Sequence, residues 1–361
     1  MLRCARQLFK RSATTERNMA KATSTISQGV VLGIESTAHT FGVALLRDRA
    51  ILANVRKLYT TEKGGMIPVK VAQHHEEHLL PLLREALEKA KVTLSDITLI
   101  AYSNAPGLGH SLRIGAMTAK SLALRLKVPL VPVNHCIAHL EIATLATEAK
   151  DPILLYASGA NTQVIAYDAG RYRVFGETLD TGIGNFLDTF ARNLGLGFPG
   201  GPQIEKLARE ASENGRVPKL ITLPYAVKGM DVSFGGLESH LKRLIASNAH
   251  DRRDLAYSVQ EHVFAMLVEV AERAMAHVGK KELALGGGVA CNARLQEMCR
   301  IMCEGRGAQS FCPAREFLVD NAAMIAWTGW LMHTRGGVHV TVKKAGIDPY
   351  ERTDEVRVTW R

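Results

Sequence analysis

The chain is predicted to be an α/β protein, a duplicated fold of two similar lobes with a ligand cleft between them, and three observations point that way. Residues 30–57 read as an apolar run, a small polar turn, a second apolar run, a charged turn and a third run, the pattern of a three-strand meander. Residues 152–180 repeat it: laying Ser36 on Ser158 puts Ala38 on Ala160 and Thr40 on Thr162, so an internal duplication is the simplest account. Each meander is followed by helical segments, VAQHHEEHLLPLLREALEKA after the first and GIGNFLDTFARNLGL after the second, and strands alternating with helices imply layered α/β lobes. A length of 361 residues exceeds one typical core and suits two lobes.

Taken in order, residues 1–29 are rich in Arg, Lys, Ser and Thr with Glu16 their only acid, the composition of a disordered tail, an over-extended start or a mitochondrial transit peptide. The first two are preferred, because the first strand begins only at Val30 and Met19 is a second initiator candidate. Residues 30–150 together with 319–361 are assigned to lobe I, and 151–318 to lobe II. Within lobe I, His74-His75-Glu76-Glu77-His78 formally fits the zinc-protease spacing H-x-x-E-H. Leu79, Leu80, Leu82 and Leu83 are expected to form the opposite, buried side of that helix, which leaves the histidines an exposed charged face. SNAPGLGHSLRIG then reads as a glycine turn opening a helix, whose free amides can hold an anion.

The segment Val-Asn-His135-Cys-Ile-Ala-His139-Leu-Glu is the strongest chemical signal. At about 3.6 residues per turn, imidazoles four apart share one helix face and can reach one ion. Such a pair needs a further ligand, commonly a carboxylate, and Asp320 is the candidate. Two readings stay open here: the imidazoles are metal ligands or core histidines bonded to backbone, and Asp320 is a ligand or the N-cap of the apolar helix after it. Further on, GLGFPGGPQIEKL places glycines and prolines before a helix bearing Glu205, residues 209–254 read as a loop-rich polar surface, and LALGGGVACNARLQEMC gives strand, triple glycine and helix. A nucleotide can lie against backbone at such glycines.

Net charge +10 makes a polyanionic partner plausible, although each basic group alone reads as a solvated face. Six cysteines form no C-x-x-C pair, which points to a reducing compartment, and no run approaches the ~20 apolar residues needed to cross a bilayer. The expected location is therefore the cytoplasm, with the mitochondrion as alternative should residues 1–29 act as a transit peptide.

From Val30 to about Trp360 the chain resembles the tRNA N6-adenosine threonylcarbamoyltransferase family, in its archaeal and eukaryotic cytosolic form, the catalytic subunit of the KEOPS complex. The resemblance rests on GIESTAHT, PGLGHSLRIG, VNHCIAHLEI, YASGANTQVIAY, YRVFGETLD, GNFLDTFAR, GFPGGPQIEKLA, LPYAVKGMDVSF, GGVACNARLQEM, VDNAAMIAWTG and RTDEV. It implies an actin, Hsp70 and hexokinase type of fold, which agrees with the duplication. It also implies transfer of threonylcarbamoyl from its adenylate to N6 of the adenosine 3′-adjacent to the anticodon in tRNAs reading A-starting codons. His135, His139 and Asp320 would hold one divalent ion, Fe2+ with Zn2+ as alternative. Tyr156, Ala157, Ser158, Gly159 and Ala160 would line the substrate, and Asp188, Gly201, Glu205 and Asn292 would contact the nucleoside. No catalytic base is assigned. The partners implied are tRNA, threonylcarbamoyl-adenylate, a small atypical kinase/ATPase subunit and a small dimerising subunit, with no membrane. Ala160, Ala322, Ala105 and Ala293 depart from the family pattern, and none of them removes a ligand or a carboxylate.

Overall fold

A computed structural model describes residues 29–61, 66–213 and 215–361. The expected tail, residues 1–28, lies outside the described residues. Twelve strands and ten α-helices follow in chain order among them: β1 (Val30–Glu35), β2 (Thr40–Arg47), β3 (Ala50–Leu58), α1 (Pro68–Ala90), β4 (Ile97–Ala105), α2 (Gly109–Leu126), β5 (Leu130–Asn134) and α3 (His135–Ala146). Then come β6 (Ile153–Ala157), β7 (Thr162–Asp168), β8 (Arg171–Glu177), α4 (Ile183–Asn193), α5 (Gly200–Glu210), β9 (Val227–Lys228), β10 (Asp231–Val232), α6 (Gly235–Ser247) and α7 (Arg252–Val278). The chain continues through β11 (Glu282–Gly286), α8 (Ala293–Gly305), β12 (Gln309–Phe311), α9 (Arg315–Leu318) and α10 (Ala322–Gly336).

The strands form two five-stranded sheets of one topology, β3-β2-β1-β4-β5 and β8-β7-β6-β11-β12, besides the β9–β10 pair. In each, an antiparallel meander is extended by two parallel strands on the far side of its first strand. The match is residue for residue at the first turn: β1 and β6 end at Glu35 and Ala157, and β2 and β7 start at Thr40 and Thr162. Both meanders and the alternation with helices are therefore as expected.

Helices α3 and α10 lie where the halves meet. Every residue of α3 from His135 to Ala143 is buried, as befits a helix apolar all round except for its functional groups. One apolar cluster joins it to α10, to β5 of the first sheet and to β6 and β11 of the second. Gly33 lets α10 lie flat on β1, since a Cβ there would come within 2.4 Å of the Ala322 carbonyl oxygen.

One expectation gains an element and another needs correction. The stretch 209–254 is loop-rich as expected, with no helix or strand over 215–226, but it also contains α6 and the start of α7, and α6 buries Leu237 and Leu241 on one side while Lys242 and Glu238 pair on the surface. The apolar stripe is only two residues deep, so charge and paired glycines mask it in the sequence. On α1, His75 is buried and packs on the Phe41 ring at 5.3 Å, whereas Leu80 is 57% exposed. The histidines are thus not one solvated face, and among the described residues they do not converge as a three-ligand group.

Candidate metal centre

Three elements bring the predicted ligands together. Asn134 caps α3, its Oδ1 accepting from the Cys136 and Ile137 amides at 3.1 and 3.3 Å, so His135 opens the helix and His139 follows one turn on. The ring centroids of the pair are 4.8 Å apart. Asp320 arrives from the segment before α10. Its Oδ1 is 3.3 Å from His135 Nε2 and 3.4 Å from His139 Nε2, and the three ligand atoms lie within 4.8 Å of one another. The N-cap of α10 is Asn321, whose Oδ1 accepts from Met324 N at 3.0 Å; the neighbouring residue thus takes the capping role and leaves the Asp320 carboxylate to the imidazoles.

The two imidazole–carboxylate distances fit a cation. Ligands about 2.1 Å from one ion stand about 3.4 Å apart in a tetrahedral shell and about 3.0 Å apart in an octahedral one. The His139 ring carries the clearest sign: it is buried, and neither Nδ1 nor Nε2 makes a hydrogen bond. The 3.4 Å approach to Asp320 is proximity rather than a bond. A buried imidazole left without partners is expensive unless a ligand completes it.

The surroundings settle which ring atom faces the ion position. His135 Nδ1 lies 3.0 Å from Glu35 Oε2 and 3.1 Å from Thr37 Oγ1, while Nε2 lies 3.0 Å from the Tyr156 hydroxyl. Glu35 Oε1 accepts from Thr37 N at 2.7 Å and Thr37 Oγ1 at 2.5 Å. A carboxylate on Nδ1 fixes the tautomer that presents a bare Nε2, the usual support of a metal-bound histidine. Burial lowers His139 below the ordinary histidine value, which keeps it neutral. Burial also opposes charge on His135, but the Glu35 and Asp320 carboxylates outweigh it and raise that group well above the ordinary value, so a cation at Nε2 would take the place of a proton there while Glu35 keeps the one on Nδ1. Burial likewise opposes charge on Asp320, yet His135 and the contacts from both imidazoles hold it well below the carboxylate range. Tyr156 is pushed up by burial, so its hydroxyl keeps its proton. Glu35 and Thr37 were not predicted as partners of His135; they stand about a hundred residues away, and only the pairing of β1 in the first sheet brings them near.

The predicted substrate residues lie on the end of β6 and the turn after it, on α4 and α5, and at the start of α8. Ser158 N–H closes its own turn onto Asn161 O at 2.9 Å, so of the turn amides those of Gly159 and Ala160, not Ser158, lack a backbone partner among the described residues. Gly184 and Asn185, opening α4, donate to the Ser158 and Gly159 carbonyls at 3.0 and 2.9 Å. One turn along α4, Asp188 accepts from Gly200 N at 2.6 Å, and burial raises its carboxyl above the ordinary value. At Gly201 a side chain would meet nothing within 4 Å, whereas at Gly200 it would strike Ala191 at 2.6 Å. Glu205 Oε1 accepts from Ala293 N at 2.9 Å. Asn292 caps α8 through the Arg294 and Leu295 amides and donates to Gln260 Oε1 at 2.9 Å, so both ends of its side chain are engaged within the protein.

The model of the family tRNA N6-adenosine threonylcarbamoyltransferase matches residues 50–327. A protein of that name from Thermococcus kodakarensis is 54% identical over 331 residues, covering 92% of this chain and 99% of its own. A Methanosarcina mazei protein described as a probable bifunctional tRNA threonylcarbamoyladenosine biosynthesis protein is 49% identical, covering 91% of this chain and 59% of its own. Among solved structures, T. kodakarensis HypF superposes with a TM-score of 0.60 at 17% identity over 85% of this chain and 48% of that one, a likeness of fold. Matched from β3 into α10 by the family model, and over nine-tenths of its length by relatives half identical to it, the chain belongs to the tRNA N6-adenosine threonylcarbamoyltransferase family of transferases.

Proposed function

We propose that the chain transfers the threonylcarbamoyl group of threonylcarbamoyl-adenylate to N6 of the adenosine 3′-adjacent to the anticodon in tRNAs reading A-starting codons, with release of AMP. The observation that carries this reading is the convergence of His135, His139 and Asp320 on one point, with both His139 nitrogens unpartnered. A divalent ion held there, iron or alternatively zinc, supplies Lewis acidity toward the carbonyl under attack.

The residues around that point bind and orient. Glu35 holds His135 in the tautomer that leaves Nε2 bare, and the neutral Tyr156 hydroxyl stands beside Nε2 as a donor toward carbonyl or phosphate oxygen. The Gly159 and Ala160 amides are placed to donate to a carbamate or phosphate. Open space at Gly201, next to Asp188 and Glu205, suits a nucleoside whose hydroxyls those carboxylates accept from. The N6 amine attacks the carbamoyl carbon, the bond from that carbon to the phosphate oxygen breaks, and the amine proton passes to water. Excess positive charge serves docking of tRNA phosphates. In this reading the chain works beside a small atypical kinase/ATPase subunit and a small dimerising subunit.

The test is transfer from purified threonylcarbamoyl-adenylate to a tRNA transcript, read as labelled threonine in tRNA, with the partner subunits present. His139→Ala, folded by circular dichroism, is expected to lose at least about a hundredfold in rate. Undiminished transfer, or ATP turnover that needs neither tRNA nor partners, overturns the reading.

A further inference from the structure

Residues beyond α10 run across both lobes and take hold of the ligand helix at two points. The segment is anchored on lobe I: Val340 N–H donates to Leu130 O at 2.8 Å, Tyr102 OH to Gly346 O at 2.9 Å, Asp348 N–H to Asn104 O at 2.9 Å, and Gly107 N–H to Pro349 O at 3.2 Å. It then crosses to the second sheet, where Arg352 pairs with Glu177 at the end of β8 at 3.0 Å.

Between and beyond those anchors it meets α3. Glu351 Oε2 accepts from Nδ2 of Asn134 at 3.1 Å, the residue whose Oδ1 caps the helix at His135. Seven residues along, Glu141 is buried, one of few carboxylates taken so far from water. Its Oε1 accepts from Arg361 Nε at 2.9 Å and from the Tyr172 hydroxyl. The Arg361 guanidinium also donates to Asp151 at 3.1 Å and lies over the Tyr167 and Tyr172 rings at 5.1 and 5.6 Å. Its side chain is only 15% exposed. Trp360, buried beside it, packs into the same apolar cluster as α3. A buried carboxylate pinned by a planar guanidinium that also packs on two aromatic rings has little freedom to rotate its helix.

We propose that residues 346–361 form a brace on α3, with Glu351 and Arg361 as positioning residues that hold the His135–His139 pair facing Asp320. His139 lies between the two grips, so both the tilt and the rotation of the helix are set from outside the site. Loss of either grip lets the imidazoles drift, while the ligands themselves remain. The inference rests on the metal reading above, and its test separates the two.

The full chain and its variants Arg361→Met, Arg361→Lys, Glu351→Ala, Glu351→Gln and Asp151→Asn are titrated with Co2+ against a chelator, following the ion's visible absorption. Amide exchange across α3 is measured in the metal-free proteins. Supporting partners of ligand residues typically carry about 10–100-fold in metal affinity, and these act one step further out, so about tenfold weakening is expected in Arg361→Met and Glu351→Ala. Arg361→Lys and Glu351→Gln keep a donor and an acceptor and should recover most of it. Asp151→Asn should bind as the unaltered chain does. Exchange across α3 should rise in the two disruptive variants. Unchanged affinity in Glu351→Ala, or faster exchange without weaker binding, overturns the brace, and so does equal weakening in Asp151→Asn. Should Arg361→Met not fold, the Glu351 pair carries the same comparison. If the unaltered chain binds no ion yet α3 loosens in both variants, the metal reading falls and the brace on the helix stands.

Discussion

Replacing Glu35 by glutamine tests the support of the ligand pair, because the substitution keeps shape and volume and changes only donors and acceptors. The carboxylate now uses Oε1 for two donors, Thr37 N–H at 2.7 Å and Thr37 Oγ1 at 2.5 Å, and Oε2 for His135 Nδ1 at 3.0 Å. An amide cannot serve both sides. With its oxygen toward Thr37, its NH2 faces Nδ1, which must accept and push the ring proton onto Nε2, the atom that faces Asp320. With its oxygen toward His135, its NH2 opposes the Thr37 N–H. Either way one buried hydrogen bond is lost, about 1–3 kcal/mol, and most of that falls on the metal-competent tautomer. At about 1.4 kcal/mol per tenfold, ion affinity should drop roughly 5- to 150-fold with little change in fold. Chelator competition with Co2+, together with circular dichroism, measures both. Affinity within about twofold of the unaltered chain would show that Glu35 does not govern the His135 tautomer, and the proposed role of Nε2 would fall with it.

Three further outcomes follow from other parts of the molecule. Burial pushes His75 down to about 4, so the folded state resists protonation there: its contribution is whole above pH 6.5 and is lost as pH falls toward 4. Between pH 7 and 4 the chain should therefore lose about 3 kcal/mol more stability than His75→Gln in urea unfolding, and parallel curves would refute this. Gly33→Ala puts a Cβ 2.4 Å from the Ala322 carbonyl and 2.7 Å from the Ala326 amide, so α10 must lift from β1 at about 1–3 kcal/mol; an unchanged urea midpoint contradicts that packing. Asp180 accepts from the Phe234 and Gly235 amides that open α6, at 2.9 and 2.7 Å, so Asp180→Ala should cost about 1 kcal/mol of stability. Burial opposes its ionisation, but those bonds hold the carboxyl down at about 2. Its support is present above pH 4 and fades as pH falls through 2, and a deficit in the variant that does not shrink over that range would speak against it.

The duplication was legible because a meander imposes period, turn length and turn chemistry together, and all three coincide when Ser36 is laid on Ser158. The histidine pair was legible because helical spacing is local. What lay beyond the sequence was non-local or degenerate. Asp320 and Asn321 are both good capping residues, and only the backbone tells which of them caps α10 and which one faces the imidazoles. Glu35 reaches His135 through the order of strands in a sheet, which no spacing encodes. Ser158 belongs to the turn expected to line the substrate, yet the turn consumes its amide on Asn161 O, which only the backbone shows. The grips of Glu351 and Arg361 on α3 join residues some two hundred positions apart, and in the sequence they read as ordinary surface charges.

The account depends on one divalent ion being shared by His135, His139 and Asp320. Elemental analysis of the chain purified without oxygen or chelator, beside His139→Ala prepared identically, addresses that most directly. One iron or zinc per chain in the first and almost none in a folded second is the expected result. Equal metal content in the two proteins would contradict it.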